Sequence, residues 1–230
     1  MKTTVVITNY NYEQYVETAI DSVLRQDVPV DELLVIDDKS TDKSIKVIEN
    51  KLAQAKVPCK LIVHDVNKGL PSSRNTGITN SSGDIICFLD ADDIYYKNKV
   101  SASKSVLTQY PEVNVVYSDY DVIDLRTGKT QREYKFTYDA TILVQACIVS
   151  TNSVFRRKMF DTVGLYNPEV KVSEDYELYL RAKDNTLFWH IPQALFLYRL
   201  HGKNITLTQQ DQMMKNERAY KARLLGGQHG

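Results

Sequence analysis

Three carboxylates stand within four residues, at Asp90, Asp92 and Asp93, directly behind the apolar run Ile85 to Leu89. Like charges that close repel, so the pattern asks for a compensating partner. Alternate residues of an extended chain point the same way, so Asp90 and Asp92 can face one ligand while Asp93 points elsewhere and anchors the turn into the next helix. Two such oxygens suit a hard divalent cation, Mg²⁺ or Mn²⁺, whose remaining positions are filled by phosphate oxygens of a nucleoside-diphosphate substrate. The competing reading of so short a DxD pattern is a loop whose aspartates cap the following helix.

Other polar groups stand in similar places. Asp37 and Asp38 follow a second apolar run; one is expected to cap the helix starting near Thr41, the other to accept hydrogen bonds from a nucleobase N–H or a ribose hydroxyl. Tyr10 and Tyr12 flank Asn11 before a helix, where a ring can stack on a base or pack against the core. In "NKGLPSSRNTG", Lys68 and Arg74 beside Gly69 and Gly77 offer backbone N–H groups and a guanidinium to phosphate oxygens or a base carbonyl. A surface salt bridge from Arg74 to one of the aspartates is the plainer alternative.

Strands are predicted at Val5 to Thr8, Leu33 to Ile36, Leu61 to Val63 and Ile85 to Leu89, interleaved with helical patterns. Val16, Ala19, Ile20, Val23 and Leu24 mark one helix face, and Ile45, Ile48, Leu52 and Ala55 another. Such alternation argues for a mostly parallel central sheet with flanking helices, an α/β, Rossmann-like arrangement. Ligands of open α/β sheets sit outside the carboxyl ends of the strands. Thr8 to Tyr10, Asp37 and Asp38, His64 and Asp65, and Asp90 to Asp93 all follow their strands, so one rim of the sheet is polar and acidic.

Past residue 95 the order changes. A helix is expected from Lys99 to Tyr110, then a smaller antiparallel ribbon from "VNVVYSDYDVID" and "TQREYKF", a strand in "TNSVF", helical "RRKMFDTVG", the loop "LYNPEV" and a helix start at "SEDYELYLRA". Two strands, "LFWHI" and "ALFLYRL", and a polar helix from Thr208 to Leu225 follow. The chain reads as a single domain over residues 1–230, with a first half (1–95), a second half (96–205) and a C-terminal helix (206–230), the halves sharing one sheet and one cleft.

At 230 residues and 43% hydrophobic content the chain can bury a real core. Lys plus Arg and Asp plus Glu balance at 29 each, so no global field favours nucleic acid or an anionic bilayer. Cys59, Cys87 and Cys147 are odd in number and widely spaced, which fits reduced thiols and a cytoplasmic setting better than a disulfide framework. No apolar run reaches the roughly 18 residues of a membrane span. A peripheral contact at the inner membrane face and a homo-oligomer stay open; the basic residues Lys215, Arg218, Lys221 and Arg223 read first as a solvated helix face.

Five segments in order, "VVITNYNYEQYVETAIDSVLRQ", "LLVIDDKSTDKS", "NKGLPSSRNTGI", "GDIICFLDADDIYYKNKV" and "SEDYELYLRA", resemble family 2 glycosyltransferases, inverting enzymes with the nucleotide-sugar-binding GT-A fold. The resemblance runs from Thr3 to His201. It implies that Thr8 and Tyr10 hold the nucleobase, with Tyr10 stacking, that Asp38 contacts a uracil ring and that Arg74 contacts base or phosphate. It implies a metal on Asp92, with Asp90 on ribose or metal, and Asp175 as general base. His201 occupies a position where some members place a metal or diphosphate ligand, and a structural histidine is the alternative. Because "SEDYELYLRA" opens a helix, either acid there can instead serve the cap or the helix dipole; Glu174 is expected in a structural or acceptor-contacting role.

The implied activity moves a sugar from a nucleotide donor, a UDP-sugar, to a hydroxyl on a glycan, lipid-linked sugar or protein acceptor, in cell-surface polysaccharide or glycoconjugate synthesis. The acceptor pocket is expected near Thr151, Asn152 and the loop Tyr166 to Ser173. Two competing functions are a sugar nucleotidyltransferase and a non-catalytic sugar-nucleotide or glycan-binding module. The first wants a Gly-rich, basic loop after strand one, which "TNYNYEQY" is not; the second wants the base missing, and Asp175 is present.

Overall fold

The computed structural model describes residues 1–226. The ending "LLGGQHG" reads in the sequence as a frayed end; its residues 227–230 lie outside the described residues, as do the side chains of residues 223–226.

The first half builds as its periodicity predicts. Strand β1 (Thr3–Asn9) is buried along its whole length. Helix α1 (Val16–Leu24) turns Val16, Ala19, Ile20 and Val23 inward, the i, i+3, i+4, i+7 stripe of an amphipathic helix. Then come β2 (Glu32–Asp37), α2 (Ser44–Leu52), β3 (Cys59–Val63), α3 (Leu70–Asn80) and β4 (Ile85–Asp90). Helix α2 stops short of Ala55. Pro71 sits in the first turn of α3, where its missing N–H costs nothing.

The second half runs β5 (Ile94–Tyr95), α4 (Lys99–Gln109), β6 (Val113–Asp124), β7 (Thr130–Glu133), α5 (Ala140–Gln145), β8 (Val154–Arg156), α6 (Met159–Val163), α7 (Glu174–Ala182), β9 (Leu187–Leu200), α8 (Ile205–Thr208) and α9 (Gln210–Gly226). The expected strands at 187–191 and 194–200 are one strand. Pro192 lies inside it, and the ladder to β6 shifts register between Ser118 and Asp119, as a residue without an N–H requires.

One sheet carries both halves, in the order β3-β2-β1-β4-β8-β6-β9-β5, with β7 paired to β6. The strands β1, β2, β3 and β4 are mutually parallel. Beyond β4 the directions are mixed: β8 is antiparallel to β4 and β6, while β9 is parallel to β6. The antiparallel ribbon of β6 and β7 is therefore continuous with the central sheet rather than apart from it. Val5 and Ile7 enter one core under α1, α2 and α4, whereas Val6 enters the other under α3, α6 and α7. Burial on both faces explains why these strands are near-continuous apolar runs.

Helix α3 lies unusually close to β1. A Cβ added at Gly77 would stand 2.3 Å from Val6 Cγ1, so only glycine allows this approach. That contact fixes the helix that carries Arg74 against the strand that carries Thr8.

Candidate active site

The strands β1 to β4 end along one rim, and the three acids of the opening pattern and the distant helix α7 meet there. The Asp90–Asp93 turn is gripped from two sides. Asn152, in the left-handed region at φ 53°, accepts the Asp90 N–H at 2.9 Å and donates to the Asp93 carboxylate at 2.6 Å. On the other side the Arg199 guanidinium donates to the carbonyls of Asp92, Ala91 and Asp93 and to Thr18 Oγ1. Asp93 is fully buried and also accepts from Arg199 N–H. Burial first, then the charges of Asp92 and Asp90, push its carboxyl well above the usual range. Asp93 thus anchors β8 and β9 to the turn, not the turn to the following helix as expected.

Asp90 and Asp92 turn to different partners. Asp90 meets Thr8 Oγ1 at 3.1 Å, Thr151 Oγ1 at 3.3 Å and the Arg74 guanidinium at 3.2 Å. Asp92 Oδ2 lies 3.0 Å from His201 Nε2 and 3.4 Å from Asn204 Nδ2. Among the described residues no three His, Cys, Asp or Glu side chains gather as a metal cage. Asp90 and Asp92 both stand at the rim, each with a protein partner of its own. Asp92 with His201 supplies one oxygen and one nitrogen, a donor set that fits Mn²⁺ or Mg²⁺ completed by phosphate oxygens and water. His201 Nδ1 accepts from Lys203 N–H at 3.3 Å, which assigns the proton to Nε2 facing Asp92. For His201 to offer Nε2 to a cation, the ring must carry its proton on Nδ1, and the exposed Lys203 N–H turns to water. Burial first, then the charges of Asp92 and Asp90, raise the Tyr12 phenol far above its ordinary value.

Arg74 is not at the surface. It is 3% exposed, lies over the rings of Phe88 and Tyr166, and bridges Asp90 to Glu174, with Nη1 2.5 Å from Glu174 Oε1. The alternative of a salt bridge to one of the aspartates is met by Asp90, inside the protein rather than at its surface, and the guanidinium ties the end of β4 to the start of α7. One cation serves two carboxylates. Arg74 is held charged, by Asp90 first and Glu174 second, against its own burial. Burial pushes Glu174 up to about 7 in spite of Arg74, and neighbouring Asp175 adds to the rise. Asp175 follows in the first turn of α7, half-buried, its Oδ1 accepting the Tyr176 N–H at 2.8 Å. Ser173 before it is left-handed at φ 61°, which directs the chain sharply into the helix.

Asp37 closes β2 and Asp38 follows it, and each accepts at least one backbone N–H. Asp37 accepts from Ser40 N–H and Oγ and from Asn9 Nδ2. Asp38, expected at a uracil ring, is turned inward: it accepts from Lys68 N–H and Gly69 N–H and contacts His64 Nδ1 at 2.7 Å. The N–H groups expected to meet phosphate ahead of α3 are thereby already paired. Tyr10 is 44% exposed at the end of β1, free to present a ring face, whereas the Thr8 hydroxyl is committed to Asp90. On the acceptor side, Asn152 works as a brace of the acidic turn, and Tyr166 packs on Arg74. The 166–173 loop is held by Asn75 at Tyr166 and by Asn216 of α9 at Val172.

Sequence reasoning missed Arg199 and Tyr15. Arg199 carried a signal: a lone arginine in the apolar run "FLYRL" must be paired if the strand is buried. Tyr15 gave none, since a tyrosine before a helix packs anywhere.

The sequence model of Glycosyl transferase family 2 matches residues 4–164. The UDP-Glc:alpha-D-GlcNAc-diphosphoundecaprenol beta-1,3-glucosyltransferase WfgD of Escherichia coli is 32% identical over 187 residues, covering 80% of this chain and 70% of that protein. Staphylococcus aureus TarS in complex with UDP-GlcNAc superposes with a TM-score of 0.74 at 21% identity, over 86% of this chain and 58% of that one. The mannosyltransferase PcManGT of Pyrobaculum calidifontis, in complex with GDP-Man and Mn²⁺, gives 0.68 at 18% identity, over 85% of this chain and 56% of that one. The chain thus spans less than two thirds of either solved structure, and the fold they share with it is the GT-A fold. With the family model covering well over half of its residues, the chain belongs to the family 2 glycosyltransferases.

Proposed function

We propose that this chain transfers a sugar from a UDP-sugar to a hydroxyl acceptor with inversion, in polysaccharide or glycoconjugate synthesis. The observation that carries the reading is the Asp90–Arg74–Glu174 bridge, which brings Asp175 to the same rim as the Asp92–His201 pair. Inversion by direct displacement needs a base on the acceptor side and charge stabilisation at the leaving diphosphate on the opposite side. Asp175 takes the acceptor hydroxyl proton; its Oδ1 is oriented by the Tyr176 N–H, leaving Oδ2 for that proton. Asp92 and His201 hold the cation, Mn²⁺ or Mg²⁺, which when bound offsets the charge developing on the diphosphate. Asp90 faces the ribose, its orientation set by Thr8, Thr151 and Arg74. Tyr10 stacks on the base.

UDP as the nucleotide is supported by the Escherichia coli relative, whose name states a UDP-glucose donor and a lipid-linked diphosphate sugar acceptor. A lipid-linked sugar is accordingly the acceptor class we favour over a free glycan or a protein hydroxyl. Among the described residues no helix is long and apolar enough to cross a membrane, so such an acceptor would be met at a surface. A thermal-shift panel of UDP- and GDP-sugars with and without Mn²⁺ tests the reading. A UDP-sugar is expected to raise the melting temperature more in the presence of Mn²⁺. A response to GDP-sugars alone overturns the donor, and no response to any sugar nucleotide overturns the function.

A further inference from the structure

Beyond the contact of its Nε2 with Asp92, the His201 ring is held by other rings. Tyr15, just ahead of α1, meets two cationic or ionisable groups: its ring is stacked on the His201 imidazole, with centroids 4.8 Å apart at 23°, and the Arg199 guanidinium lies over the same ring, 4.9 Å from its centroid. Tyr12 meets the His201 ring edge-on at 5.5 Å. Arg199 in turn holds the backbone carbonyls of Ala91, Asp92 and Asp93, and the Tyr15 carbonyl as well. The stack therefore joins both partners of the Asp92–His201 contact: one end fixes the backbone of Asp92, the other the plane of His201.

An imidazole can present Nε2 to a fixed point only if rotation about its Cβ–Cγ bond is restrained, because that torsion is broad when left to itself. Metal-binding histidines usually gain this restraint from a hydrogen bond to the other ring nitrogen. Here Nδ1 has only the 3.3 Å contact from the exposed Lys203 N–H, and that donor would be lost once Nδ1 carried the proton. The restraint left is aromatic, the face of Tyr15 with the edge-on ring of Tyr12 beside it. We propose that Tyr15 is a positioning residue for cation binding, acting through the Arg199–Tyr15–His201 stack. It aims His201 Nε2 at the point it shares with Asp92. The role needs an aromatic face and not the phenol hydroxyl. The inference rests on the reading of Asp92 and His201 as the cation pair.

The test titrates Mn²⁺ alone into the full chain and follows the EPR signal of the free aquo ion. It compares the wild type with Asp92→Asn, Tyr15→Phe, Tyr15→Leu and Tyr15→Met. Tyr15 is only half-buried, and the flexible methionine serves if leucine impairs folding; circular dichroism melts confirm that each variant is folded. Tyr15→Phe is expected to keep the wild-type affinity, while Leu and Met lose roughly 10-fold, the scale of an outer-shell substitution at a metal site. Asp92→Asn is expected to lose at least as much. Folded Leu and Met variants that bind as the wild type does, while Asp92→Asn is weakened, overturn the role of Tyr15 and leave the cation pair standing. Loss in Tyr15→Phe equal to that in Leu assigns the effect to the hydroxyl and also overturns the proposal. An unchanged Asp92→Asn removes the cation pair itself and the proposal with it.

Discussion

Replacing Glu174 by glutamine separates the charge of this residue from its shape. The amide keeps an acceptor for Arg74, which retains Asp90 as its second partner at 3.2 Å. What changes is proton linkage. Glu174 is raised from its ordinary 4.5 to about 7, by burial above all, so the folded state holds a proton there that the unfolded chain has already released. A carboxyl raised on folding contributes stability that is present in full below the unfolded value and is lost as pH rises through the folded one. The window is therefore pH 4.5 to 7. At about 1.4 kcal/mol per unit, the wild type should lose roughly 2–3 kcal/mol from this group alone between pH 5 and pH 8. The glutamine variant lacks the term. Urea unfolding of both proteins at pH 5, 6, 7 and 8 reads it directly: the variant's stability relative to wild type should climb by about that amount across the range, other groups cancelling in the difference. A flat difference would refute the reasoning. A difference of opposite slope would show that Arg74 outweighs burial and keeps Glu174 ionised.

Four further outcomes follow from the geometry. Tyr10→Ala should weaken UDP binding by about 1–3 kcal/mol in calorimetry, the usual worth of a base stack, without lowering the melting temperature of the free chain, because the ring is exposed. Gly77→Ala should cost about 1–3 kcal/mol in urea unfolding through overpacking against Val6, and Val6→Ala in the same chain should recover part of it. Asn152→Ala should cost roughly 1–3 kcal/mol by leaving the Asp93 carboxylate and the Asp90 N–H short of a partner, and should diminish UDP-dependent stabilisation. Asp175→Asn should leave nucleotide binding intact and stop transfer.

The parallel half of the fold was legible because β1, β2 and β4 are buried on both faces and α1 and α2 each show one apolar stripe; Val5 to Thr8 and the Val16 to Val23 face fell where periodicity put them. Short elements escaped: β5 has two residues, and α5 six, too few for a period to show. The strand through Pro192 was split because proline argues against a central strand, and only the register shift along β6 makes room for it. In the site, sequence order placed the acids at strand ends but not their partners. Whether Asp38 faces a ligand or its own backbone depends on the path of the loop ahead of α3, and whether Arg74 is exposed depends on a helix a hundred residues away. The Asp92–His201 contact spans more than a hundred residues too, so no local pattern announces it.

The central claim is that Asp175 is the base of an inverting sugar transfer at the rim shared by Asp92 and His201. Its most direct test measures UDP-sugar consumption with acceptor, alongside UDP-dependent thermal stabilisation with Mn²⁺, in wild type and Asp175→Asn. The account predicts that the variant keeps the thermal shift and loses transfer; a variant that transfers sugar at the wild-type rate contradicts it.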